Sequence, residues 1–202
     1  AALTTGGQNI LIGDNAGAGG AITGIRNVAV GDNALYAVVG AGGNIGIGYA
    51  AGDAITSGNN NVVVGTNAGS ALTSGHENTY IGNNAGATAT TAGYNICIGN
   101  GAGNGGVTTG DHNIVMGHAA GDALTSASNN VIIGQSAGTT LTTGANNVAI
   151  GAEALYYTTT ASGNSSFRHV AFKAYTTGTN NTGIGYLSLE AQTTGSTNTA
   201  VG

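Results

Sequence analysis

The 202-residue chain has no proline, no tryptophan, one cysteine, one methionine and only eleven charged side chains, three Lys/Arg against eight Asp/Glu. Three basic residues (Arg26, Arg168 and Lys173) cannot make the basic stripe that nucleic acid requires. The single cysteine, Cys97, excludes an internal disulfide. No apolar run reaches the length of a membrane-spanning helix, so no membrane insertion is expected. An initiator methionine and a signal peptide are also missing, and the chain is expected to be processed or a fragment.

Glycine, by contrast, is abundant, with 39 residues. A glycine-rich chain of low complexity invites a disordered reading. A hydrophobic content of 41%, a net charge of only −5, and regular β-branched clusters between the glycines argue for folding.

The dominant feature is repetition. "TSGNNNVVVGTNAGSAL" (56–72) is followed at once by "TSGHENTYIGNNAGATA". Glycines of one recurring column, each preceded by Ile, Val or Met, fall at 13, 31, 48, 65, 82, 99, 117, 134, 151, 185 and 202. The gaps are 17 or 18, apart from one of 34, which is two periods. Four residues before these glycines stand Asn9, Asn27, Asn44, Asn61, Asn78, Asn95, Asn113, Asn130, Asn147, Asn181 and Asn198. Residues one and three before the glycine are mostly Ile or Val, and two-residue spacing puts them on one face of a strand. Alanine recurs three residues after the glycine, and a Thr/Ser-Gly turn closes the period.

Glycine and β-branched residues in every window exclude helix. The pattern predicts an all-β chain: a parallel β-solenoid with about 17 residues per coil and roughly eleven coils, in one domain over 1–202. A coil cannot bury its apolar face alone and must stack on its neighbours, with column mates about 4.8 Å apart. The asparagines, represented by Asn27, Asn44, Asn61, Asn78, Asn95, Asn113, Asn130 and Asn147, are expected to form a buried side-chain ladder. The alanines are expected where two walls approach closely, and the glycines at corners of positive φ. The 34-residue gap predicts an irregular insertion or degenerate coil at 152–176, centred on "HVAFKAY".

The repeat resembles two known kinds. "NNVAIGAEAL" (146–155) resembles the head repeat of trimeric autotransporter adhesins, and "TTGTNNTGIGYLSL" (176–189) is similar to repeats of phage tail-fibre-like proteins. The resemblance implies a left-handed parallel β-roll, association of three chains, and an elongated surface appendage. The 17-residue period is longer than that of the adhesin heads, and no heptad stalk or anchoring barrel is present in this stretch, which leaves virion and cell surface both open.

Chemistry is sparse. His76, His112, His118 and His169 follow no zinc-ligand spacing. Asp14 and Asp32 share a column on neighbouring coils, but that column otherwise carries the variety of a solvated face. Asp111-His112 has no nucleophile in context, and "GAGNGG" (101–106) repeats a corner and opens no helix. No cofactor and no enzymatic activity are expected. Residues 156–175 hold both phenylalanines, and Tyr156, Tyr157, Phe167, Arg168, Phe172, Lys173 and Tyr175 are the candidates for a protruding contact with a partner chain or glycan.

The leading functional expectation is a structural fibre: the self-associating, adhesive shaft of an extracellular filament or of a virion or cell-surface appendage. Its partner is itself, as a homotrimer or stacked head to tail through uncapped ends, with surface glycans as a further partner. The alternative is an ice- or glycan-binding solenoid using the aligned Thr/Ser column.

Overall fold

A computed structural model describes residues 6–105, 108–172, 177–190 and 194–202. It contains β1 (Ile10–Ile12), β2 (Val28–Val30), β3 (Ile45–Ile47), β4 (Val62–Val64), β5 (Thr79–Ile81) and β6 (Ile96–Ile98). These are followed by β7 (Ile114–Met116), β8 (Val131–Ile133), β9 (Val148–Ile150), β10 (Ser165–Phe167), β11 (Thr182–Ile184) and β12 (Thr199–Val201). The twelve three-residue strands form one sheet in sequence order, and every neighbouring pair is parallel. The chain is therefore a β-solenoid that advances one strand per coil.

Positions within a coil are counted from its ladder asparagine. The strand occupies +1 to +3 and ends at +4, where Gly65 has φ +130°. A Cβ on Gly65 would lie 2.5 Å from the carbonyl oxygen of Gly82 directly above it. The corner thus demands glycine twice over, through its dihedral and through the approach of the next coil. The return wall is turn-like backbone, and its own hydrogen bonds also run along the axis. The N–H groups of Gly52 and Gly69 donate to the carbonyls of Ala68 and Ala85, each at 2.9 Å.

The core lies between strand and return wall. The alanines at +7 (Ala34, Ala51, Ala68, Ala85 and their equivalents) are fully buried, as expected. The remaining volume is filled from one of two positions. Where +2 is large, as in Val63, Tyr80, Val115 and Ile132, +8 is glycine (Gly69, Gly86, Gly121 and Gly138). Where +8 is large, as in Leu35, Leu155 and Phe172, +2 is small (Ala29, Ala149 and Ser166). In the coil with glycine at both sites, Leu35 from below fills the space: a Cβ on Gly46 would meet its Cγ at 2.7 Å. Close packing at constant volume explains the exchange.

Two expectations are corrected. The stretch 152–176 is no insertion; over the described residues 152–172 it follows the other reading of the gap, a coil that has lost its corner glycine: β10 pairs with both β9 and β11 without slip, Ser165 lying opposite Val148 and Thr182. Asn164 supplies the ladder residue, and Arg168 occupies the glycine corner at φ +103°. The coil is obscured because "SSFR" replaces the aliphatic-glycine signature, while its backbone bonds are retained. Residues 173–176 of the expected insertion lie outside the described residues. The second correction concerns the aliphatic pair at +1 and +3, which stacking was expected to bury. The pair points outward, and the middle residue of each strand points in.

The exchange between +2 and +8 is testable at Ile132 and Gly138, since the three atoms nearest a Cβ on Gly138 all belong to the Ile132 side chain, at 3.2–3.7 Å. Ile132→Ala is expected to cost about 2–5 kcal/mol as a cavity, and Gly138→Leu about 1–3 kcal/mol by overpacking. The double variant recreates the Ala149/Leu155 pairing and should recover at least about 1 kcal/mol of the summed loss. Urea unfolding of the four proteins measures this coupling.

Candidate functional surface

The asparagine column is a continuous buried ladder. Asn61 donates its backbone N–H and its Nδ2 to Oδ1 of Asn44, both at 3.0 Å. The second Nδ2 hydrogen reaches across the coil to the Gly75 carbonyl at 2.9 Å. The same pattern joins Asn27 to Asn44, Asn61 to Asn78, Asn113 to Asn130, and Asn130 to Asn147. Asn95 continues it through its N–H to Asn78 and accepts from Asn113. Asn164 is a further rung, in the coil where Phe167-Arg168 replaces the aliphatic-glycine pair. Its spacing of 17 from both Asn147 and Asn181 was the available signal.

A second set of side-chain bonds also runs along the axis, from residues that the sequence pattern does not mark. Asn59, Asp111, Ser128, Ser162 and Ser196, two residues before the ladder position, each accept the N–H of the residue one coil below, at 2.7–3.1 Å. Thr56, Thr73, Thr125 and Thr142 donate their hydroxyls to the carbonyl of the next threonine in the column, at 3.0–3.3 Å. The first threonine column is thus part of the axial bonding, and the following residues Ser57, Ser74, Ser126 and Thr143 are exposed.

Of the residues proposed as a protruding contact, the described ones do not form one site. Phe172 is fully buried and fills the core at +8. Tyr156 is half-buried and packs edge-on against exposed Tyr157, with ring centroids 4.7 Å apart. Phe167 lies in the outward strand column, and Arg168 is exposed at the corner. Lys173 and Tyr175 lie outside the described residues. The buried position of Phe172 follows from Ser166, which leaves that coil without a large strand residue.

Stacking brings together groups that the sequence separates. Tyr94 has His76 edge-on at 4.9 Å and His112 face-on at 4.8 Å, and His169 stacks on Tyr186 at 5.7 Å. Burial pushes the Cys97 thiol up to about 12, so it is a small core residue with negligible thiolate at neutral pH. Burial also raises Asp53, one of whose oxygens has no hydrogen-bond partner. Among the described residues there is no pocket, and no group of three or more His, Cys, Asp or Glu is placed to hold a metal ion.

The most extended surface feature is the outward face of the sheet. At +3 all twelve residues are apolar, from Ile12 and Val30 through Met116 to Ile184 and Val201. At +1 eight are Ile or Val, and the other four are Thr79, Ser165, Thr182 and Thr199. Exposure is 59% at Ile12, 44% at Ile184 and 75% at Val201, and every one of these positions is exposed or half-buried. No family model matches the chain, and neither a curated protein nor a solved structure does.

Two substitutions test this geometry. Asn78→Leu removes the acceptor of the Asn95 N–H and the donor to the Ala92 carbonyl. It is expected to cost about 1–3 kcal/mol in thermal or urea unfolding, as desolvated groups lose their partners. Arg168→Gly replaces a side chain held at φ +103° by the residue that suits the corner. It should gain about 1 kcal/mol and raise the melting temperature, and a fall would assign Arg168 a stabilising contact.

Proposed function

We propose that the chain is a non-enzymatic structural element, the self-associating β-solenoid shaft of an extracellular filament or of a virion or cell-surface appendage. The observation that carries this reading is the unbroken register of twelve parallel strands. Each coil binds its neighbours through strand, return wall and asparagine ladder at once, so stiffness is continuous along the axis. A chain organised to hold a ligand would be expected to interrupt that repetition to shape a cleft. Here even the least regular coil, at β10, keeps its strand pairing and its ladder asparagine. Binding to surface glycans would be an adhesive role of the same shaft.

The alternative, an ice- or glycan-binding hydroxyl face, draws on the exposed Ser/Thr column at Ser57, Ser74, Ser126 and Thr143. It is the weaker reading because the adjacent threonine hydroxyls are engaged with backbone carbonyls.

Electron microscopy of the purified chain checks the shaft directly. Twelve strands imply eleven spacings of about 4.8 Å, hence rods about 53 Å long per chain. Rods of that length or multiples of it are expected, and compact round particles would overturn the reading.

A further inference from the structure

We infer that the outward aliphatic face of β1–β12 is an interface, and that its occupant is a second copy of this chain packed side by side, parallel and rung on rung. The inference rests on the shaft reading and supplies the surface through which shafts associate.

The strand triplets carry the first argument. "VVV" in β4, "IVM" in β7 and "VII" in β8 are apolar on both faces of the sheet. Parallel sheets occur almost only with both faces covered, and uninterrupted apolar strands are their signature. In this solenoid the return wall covers the inner face, and among the described residues nothing covers the outer one. Strand propensity alone does not explain the outer residues. Threonine is β-branched and would serve equally well, and the chain uses it freely in its turns, yet only three of the 24 outward strand positions are threonine.

Area carries the second. A strip about 53 Å long and about 10 Å wide offers about 500 Å², near the upper end of what a monomer normally exposes. The flanking columns are predominantly polar: Asn60, Glu77, Tyr94 and His112 on one side, Thr66, Asn83, Asn100 and His118 on the other. Including them doubles the width and gives about 1,000 Å², above the roughly 800 Å² per partner of a standard interface. An apolar centre with a polar rim is the anatomy of such a contact.

Periodicity selects the occupant. Ridges repeating about every 4.8 Å along the axis fit in phase only with a surface of the same period, and another copy of this chain presents one. Polar interruptions select the orientation. In a parallel, in-register pair each rung meets the same rung, so Ser165, Thr182 and Thr199 of both copies gather at one end of the contact, and β1–β4 and β6–β9 stay apolar against apolar. In an antiparallel pair of equal overlap those three would face Ile45, Val28 and Ile10, and polar groups would be desolvated at both ends of the contact.

The test compares the intact chain with Ile47→Lys/Ile81→Lys on the face and Ser57→Lys/Ser74→Lys on the exposed turn column. In sedimentation the wild type and the turn variant are expected at twice 19.3 kDa across the micromolar range, and the face variant at 19.3 kDa with an unchanged circular dichroism spectrum. Cysteine cross-linking supplies a readout that does not depend on the lysines being tolerated. Ile81→Cys in a Cys97→Ser background should give a covalent dimer with a short bis-maleimide, and Ser74→Cys in that background should not. A monomeric wild type, a face variant that keeps the oligomer mass, or no cross-link at Ile81→Cys would overturn the interface. A monomer that binds phosphatidylcholine vesicles instead would reassign the face to lipid. Microscopy separates the two failures: single-width rods leave the shaft standing without the interface, whereas an absence of rods removes the shaft itself.

Discussion

A carboxamide offers two N–H donors and an oxygen with two lone pairs, and the asparagine column uses all four capacities in most of its coils. The oxygen receives two hydrogens from the asparagine above, one nitrogen hydrogen goes to the asparagine below, and the other spans the coil to a carbonyl fourteen residues on. The last bond closes each coil, and the first three fix its height on the next. The acceptors at that carbonyl (Ala41, Gly58, Gly75, Ala92, Gly110, Ala127 and Gly144) are all glycine or alanine. At Gly110 and Gly144 a Cβ would run into the carbonyl of the alanine one coil higher, whereas Ala41, Ala92 and Ala127 accommodate theirs. The column is thus held to the two smallest residues, and its glycines stand where the next coil approaches most closely.

With height and closure set by backbone and amide, the core has only to conserve volume. That freedom accounts for the traffic between +2 and +8, where a large side chain moves from strand to return wall without disturbing a hydrogen bond. The cost appears in the backbone, because +8 is left-handed in every described coil that reaches it: Leu35, Leu155 and Phe172 adopt φ of +47°, +55° and +58°. Such conformations in branched or bulky residues persist only where the surroundings over-determine them. Here axial bonds on both sides of the coil do so.

The fold was legible in the sequence because stacking makes each column its own evidence: period, strand position, alanine wall and ladder all follow from self-similarity. The direction of the strand face was not legible. Alternation shows that +1 and +3 share a side, but Val63, Val115 and Ile132 at +2 are equally apolar, so hydrophobicity cannot say which side is in. The place of the β10 coil was obscured for a different reason. The 34-residue gap marks a coil without its glycine, but Phe167-Arg168 breaks the aliphatic-glycine pair while Asn164, the residue that carries the bonds, is intact. Only the spacing of Asn164 from Asn147 and Asn181 sets the register of that coil, and that register separates buried Phe172 from Phe167 and Arg168.

The scarcity of charge has a physical origin in the same stacking. In a parallel in-register solenoid each surface side chain sits about 4.8 Å from its column mates, where two like charges repel by about 1 kcal/mol in water and several times more near a protein surface. Charges are therefore tolerated singly. Among the described residues only Asp14 and Asp32 stand on adjacent coils of one column with the same sign, and both lie in the first two coils. Neutral groups that gain from vertical contact take the other places, as in the stack of His76, Tyr94 and His112 and in the threonine ladder. The result is a long surface with a net charge of −5 over 202 residues. So little charge offers weak electrostatic opposition when two such surfaces meet. The rule that forbids repeated charge within a column thus also lowers the barrier to lateral association between copies.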